Sequence, residues 1–216
     1  MKFKFIYLLS LIVLSFLSCN NSDDERVTND FVIEQPEESP QPEEEEQTEA
    51  QCDSSNSNFN QLYSSLANSS NFDDVISMDT DYHTYSFEVL NDKTICKIGY
   101  QSLVTFNTTP YLIEIFDNTN NTIIYSGSHL FSFTSTSYVD IDPIQVQTNH
   151  SYTIKRIQTN WNGKISNTIG RLLQGEINFP IVNGDLVITG SSFYRNESDD
   201  AIAIPHMPYI DIVFQN

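Results

Sequence analysis

Four groups of residues have the types and spacing to do chemistry. Thr159-Asn160-Trp161-Asn162-Gly163-Lys164 holds the only tryptophan of the chain between two asparagines, beside an Asn-Gly pair that suits a tight type I′ turn. Sugars offer apolar C–H faces to aromatic rings and hydroxyls to amides, so Asn160, Trp161 and Asn162 at a hairpin tip are a candidate glycan contact. The competing reading folds Trp161 back over the edge of a core. Arg195, in Tyr194-Arg195-Asn196-Glu197-Ser198-Asp199-Asp200, is a second ligand-binding candidate, with pairing to its acidic neighbours as the plainer reading. Asp140 and Asp142, two apart near Pro143, are hard oxygen ligands of the kind a structural calcium takes. Asp79, Asp81 and His83 share one side of an extended segment and suit a divalent cation, although His83 also continues the apolar face of Tyr85 and Phe87.

Catalytic constellations are missing. His83, His129, His150 and His206 have no H-E-x-x-H spacing, no G-x-S-x-G elbow is present, and no cysteine stands in a nucleophile motif. Glycoside hydrolysis needs two carboxylates facing across a cleft, and none of the acids has a setting that suggests burial. The expectation is a non-enzyme with no cofactor beyond the calcium just named.

The elements that must position these groups are strands. Residues 83–89, 94–104, 111–116, 122–126, 130–133, 138–141, 152–159, 178–182, 186–191 and 209–214 carry alternating or short apolar runs separated by turn residues, with one short helix around 60–67. Asn162-Gly163 and Asn183-Gly184 mark tight turns. About nine short strands with no helical crossovers predict an antiparallel all-β sandwich.

Composition divides the chain of 216 residues, whose net charge is −19. Between residues 20 and 51 stand twelve acids against Arg26 alone, a balance of −11, together with Pro36, Pro40 and Pro42. Such a segment buries too little apolar surface to offset its ordering entropy and reads as a disordered linker reaching roughly 30 Å or more. An acidic tail that takes calcium or a basic partner is the alternative. Residues 52–216 form the expected folded domain, still at −10, which argues against nucleic acid because phosphate contacts demand clustered Lys and Arg. Cys52 and Cys96 lie in that domain; a disulfide is expected between them in an oxidising compartment, with a small buried thiol at Cys96 as the other reading.

The front of the chain carries Lys2 and Lys4, an apolar run over 5–17, and then Ser18-Cys19. It is shorter than the roughly 20 apolar residues of a spanning helix and resembles a bacterial lipoprotein signal. The resemblance implies a signal peptide over 1–18, an acylated, palmitate-bearing Cys19, and a lipid bilayer as partner, with residues 19–51 as lipidated cysteine and linker. Asn20-Asn21-Ser22-Asp23-Asp24-Glu25 resembles the acidic export tag of surface-exposed lipoproteins in Gram-negative glycan-foraging bacteria, which implies the outer membrane and cell surface.

A second resemblance lies in the domain. Tyr85-Ser86-Phe87-Glu88-Val89, Thr94-Ile95-Cys96-Lys97-Ile98-Gly99-Tyr100, Tyr111-Leu112-Ile113-Glu114-Ile115-Phe116 and Ser151-Tyr152-Thr153-Ile154 resemble the jelly-roll β-sandwich domains found beside glycan-active modules on secreted bacterial proteins. Those domains are similar in fold to carbohydrate-binding modules. The resemblance implies a jelly-roll-like sandwich that binds an extracellular ligand, with glycan as the first expectation. The alternative expectation is a structural or assembly component that packs against another envelope protein and takes no small ligand.

Overall fold

The computed structural model describes residues 51–77, 80–101, 110–159, 170–194 and 206–216. By its contacts the chain divides into Met1–Glu46 and Gln47–Asn216, and every described residue belongs to the second unit. That unit opens with a 3-10 turn, Ser54–Asn56, and a helix α1, Asn58–Ala67. Strands follow: β1 Asp73–Ser77, β2 Tyr82–Val89, β3 Lys93–Tyr100, β4 Tyr111–Asp117, β5 Thr122–His129 and β6 Ser137–Val146. The chain continues through β7 Tyr152–Ile157, β8 Gly170–Gln174, β9 Ile181–Asn183, β10 Leu186–Tyr194, β11 Met207–Pro208 and β12 Asp211–Phe214. All pairings are antiparallel.

A six-stranded sheet, β5-β4-β7-β2-β10-β9, and a three-stranded sheet, β12-β3-β6, turn their inward residues into one core, giving an antiparallel β-sandwich. Alternation explains the large sheet. Tyr85 and Phe87 on β2, Ile113 and Ile115 on β4, and Tyr152 and Ile154 on β7 all point inward and are buried, while their neighbours face out. Chain neighbours β2 and β3 lie in different sheets, as do β6 and β7, so the chain crosses the sandwich rather than meandering along it. A tight turn forms one residue later than Asn183-Gly184: Asn183 ends β9 opposite Leu186, and Gly184, at φ +54, and Asp185 make the two-residue loop.

The structure has twelve strands among the described residues instead of about nine. The additions β1, β8 and β11 form a small third sheet, β1-β8-β11. Asp73-Asp74-Val75-Ile76-Ser77 and Gly170-Arg171-Leu172-Leu173-Gln174 are too short and too uneven in polarity to signal strands. Residues 130–133 are not a strand: β5 runs on to His129, and the following loop is pinned by buried Phe131 while Leu130 and Phe133 stay exposed. Ser137 Oγ accepts from the Ser132 N–H at 2.8 Å in that loop. Conversely β6 extends past Pro143, which is tolerated because β6 is a sheet edge.

Helix α1 begins where Ser57 Oγ accepts the Asn60 N–H at 2.9 Å, a side-chain N-cap, and buries Phe59, Leu62 and Tyr63 at helical spacing. It packs against β12, which explains why Asp211, Ile212, Val213 and Phe214 are all buried although a strand pattern predicts one wet face. The polar member of that strand, Asp211, is wholly enclosed. Ser57 Oγ donates to both its carboxylate oxygens at 2.7 and 2.8 Å, and Tyr138 Oη donates to Oδ2 at 2.7 Å. Tyr138 reaches it by lying across Gly99, its partner on β3, in the manner of an aromatic ring covering a strand glycine. A Cβ on Gly99 would sit 2.4 Å from Tyr138 Cε1. Gly99→Ala is therefore expected to cost on the order of 2 kcal/mol. A double-mutant cycle with Tyr138→Ala, read by urea unfolding, checks it; fully additive losses would mean that the clash is not the cause.

Cys52 and Cys96 are joined by a disulfide, with Cα atoms 6.1 Å apart. The expected pairing is thus the one found.

Candidate binding face

The outward face of the six-stranded sheet carries an extended set of ligand-competent side chains. Strand register arranges it in three rows. The first aligns Leu112, Ile157, Tyr82 and Tyr194; the second Glu114, Lys155, Thr84 and Ser192; the third Phe116, Thr153, Ser86 and Gly190. An apolar and aromatic row thus borders a charged and hydroxylated one, and the third row sets Phe116 beside two hydroxyls and a glycine. The rows run across four strands, about 14 Å at ordinary strand spacing.

Two open depressions occupy this face and merge. One, of 470 Å³, is lined by Glu114, Phe116, Asn118, Ile123, Thr153 and Lys155. The second, of 260 Å³, is lined by Tyr82, Thr84, Thr153, Lys155 and Tyr194. Thr153 and Lys155 belong to both, so the two form one trough that passes over β7. Its floor is a hydrogen-bonded hydroxyl and amide chain: Asn118 Nδ2 donates to Thr153 Oγ1 at 3.1 Å, and Thr153 Oγ1 meets Ser86 Oγ at 3.1 Å. Lys155 Nζ lies 5.2 Å from the Tyr82 ring centroid, and Tyr82 packs edge-on against Tyr194 at 6.2 Å. That cation–π contact holds the ammonium along the trough.

One end of the trough is fixed by the β4–β5 turn. Asp117 Oδ1 accepts the Thr119 and Asn120 N–H groups at 2.9 and 3.0 Å, while Oδ2 takes Asn120 Nδ2 at 2.9 Å and His150 Nδ1 at 3.0 Å. Burial alone would raise the Asp117 pKa; the bonds from His150, Asn120 and Thr119 outweigh it and hold the carboxyl below its usual range. Asn121, at φ +54, closes the turn. Asn118 is thereby presented to the trough from a rigid corner.

The residues singled out from the sequence are placed unevenly. Asn160, Trp161, Asn162, Arg195 and Asp79 lie outside the described residues. Asp140 is an exposed member of β6 whose Oδ1 sits 3.1 Å from Lys97 Nζ, and Asp142 is exposed on the same strand. Among the described residues no three His, Cys, Asp or Glu side chains gather as metal ligands. His83 turns inward, is fully buried, and stacks edge-on with Phe193 at 5.0 Å. No described helix is long and apolar enough to cross a membrane.

Sequence reasoning missed the trough because no single stretch contains it. Phe116, Thr153, Lys155 and Tyr194 are ordinary outward positions of three strands, and they become one surface only through the order β4-β7-β2-β10. No protein-family model matches the chain, and no curated protein matches it.

Proposed function

We propose that this is a non-catalytic lipoprotein, held at the outer-membrane surface through acylated Cys19, whose β-sandwich binds an extracellular glycan along the outward face of the six-stranded sheet. The observation that carries the reading is the trough. It is elongated and open, which suits a chain of sugar rings laid across the strands better than an enclosed small molecule. Phe116 and Tyr194 offer aromatic surface at its two ends, and Glu114, Asn118, Thr84 and Lys155 offer hydroxyl-directed donors and acceptors between them.

A glycan array, followed by affinity electrophoresis on the glycans retained, tests it. Tyr194→Ala and Phe116→Ala are each expected to weaken retention about tenfold, the worth of one ring contact. Ile76→Ala, an exposed change on β1, is the control and leaves retention unchanged. Full retention by both trough variants, with loss in Trp161→Ala, would move the site to the 159–164 segment. If the wild type retains no glycan and instead co-purifies with an envelope protein, the assembly reading replaces this one. Cys19→Ala is expected to shift the protein from the membrane fraction to the soluble one, and an unaltered distribution would remove the anchor.

A further inference from the structure

Arg156 is 0% exposed. It sits on the inward face of β7, two residues beyond Ile154, with His83 of β2 and Ile113 of β4 as its register partners. Among the described residues no carboxylate lies within ion-pair distance of it. Its sole hydrogen bond there is long, from Nη1 to the Asp81 carbonyl at 3.4 Å, and Nε and Nη2 find no acceptor. Three of the five guanidinium N–H bonds are thus unmet inside the fold. The rings of Tyr111 and Tyr100, with centroids 5.5 and 5.9 Å from Cζ, spread the charge but accept none of those protons in line.

The polar groups around it are orphaned in the same way. Tyr100 Oη, Tyr111 Oη, both polar atoms of the Gln158 side chain, and both ring nitrogens of His83 are buried without a partner. Burial first, and the neighbouring guanidinium second, push the His83 pKa well below its ordinary value, so the ring is neutral and adds no second charge. Burial likewise raises the Tyr100 phenol against the opposing pull of the Arg156 guanidinium beside it, so the phenol keeps its proton and its capacity to donate. Gly170 completes the wall: the point where its Cβ would stand is 2.3 Å from Tyr100 Oη and 3.4 Å from His83 Cε1, so the Tyr100 hydroxyl packs where any other residue would place its Cβ.

A buried cation left alone destabilises a fold by several kcal/mol, and a cluster of this many orphaned donors is expected to have a ligand. Among the described residues the donors outnumber the acceptors, and no ion pair offsets the one positive charge. We propose that Arg156, with Tyr100, Tyr111, Gln158 and His83, forms an internal binding site for one small monovalent anion of the chloride class. Water satisfies donors but neutralises nothing; a divalent anion would replace one uncompensated charge by another. This inference is independent of the glycan reading and concerns the opposite face of the same sheet.

Chloride and bromide are the probes. Crystals of the disulfide-intact chain grown in sodium bromide are expected to show an anomalous peak within hydrogen-bond reach of Arg156 Nε or Nη2. In solution, each tenfold rise in chloride above its dissociation constant is expected to raise the folded-to-unfolded ratio about tenfold, while gluconate at matched ionic strength, too large to enter, has no such effect. Arg156→Met, which keeps the stem and removes the charge, is expected to abolish the chloride dependence. Tyr111→Phe, a milder change that keeps the ring, is expected to weaken chloride binding several-fold and serves if the methionine variant does not fold. Identical unfolding in chloride and gluconate, an ordered water in place of the bromide peak, or a carboxylate of the chain itself on Arg156 would each overturn the proposal.

Discussion

Replacing Asp211 by asparagine is expected to stabilise the domain by about 4 kcal/mol more at pH 8 than at pH 4, relative to the unaltered chain at each pH. Burial drives the effect. It pushes the Asp211 carboxyl up to about 7 against the opposing hydrogen bonds of Tyr138 and Ser57, whereas the unfolded chain titrates near 3.8. Between those values the native state holds a proton that the unfolded state has released, so unfolding free energy falls as pH rises through the window and levels off above it. Asparagine carries no such proton. His83 acts in the reverse sense: its native pKa is depressed, so its contribution is present above about 6.5 and is lost as pH falls. The two slopes oppose each other in the unaltered protein and flatten its profile below about pH 6.5. In Asp211→Asn only the rising slope remains. Urea unfolding at pH 4, 6 and 8 separates them, and an equal difference between variant and parent at all three would show that Asp211 does not titrate in the fold.

Loss of the Cys52–Cys96 bridge is the second large effect. The bond closes a loop of 44 residues in sequence separation, and restricting the unfolded chain over that length contributes about 4 kcal/mol. A domain of this size has only about 5–15 kcal/mol in all. Cys52→Ala with Cys96→Ala is therefore expected to lower the urea midpoint by a large fraction of its value, and reductant is expected to do the same to the parent protein. A shift corresponding to less than about 1 kcal/mol would mean that the unfolded chain is already held compact in this region.

Much of the sandwich was legible because its large sheet obeys period two. The alternation of β2, β4 and β7 announces both the strands and the core residues Tyr85, Phe87, Ile113, Ile115 and Ile154. What escaped has definite causes. β12 reads as half-wet, yet α1 covers its second face, and that cover is what makes Asp211 a buried acid. β6 reads as ending before Pro143, since proline is a strand breaker except at an edge, and edge status is a property of the assembled sheet. Arg156 follows Tyr152 and Ile154 on the inward side of β7, inside the strand read over 152–159, but arginine is a surface residue by habit and nothing local marks this one as buried. The trough required cross-strand order, which local periodicity does not contain. The segments holding Trp161 and Arg195 lie outside the described residues, so their candidacy rests on the sequence.

The last residues of the domain return to its beginning. Asn216 donates its backbone N–H to the Gln51 carbonyl at 3.1 Å, and Gln215 donates to Thr94 at 2.9 Å, beside the Cys52–Cys96 cross-link. Traction applied to the chain ahead of Gln51 meets a covalent junction one residue inside the domain. It then passes directly into β3, a strand flanked by partners on both sides. The helix and β2, enclosed in the cross-linked loop, lie on the slack branch and are spared the load.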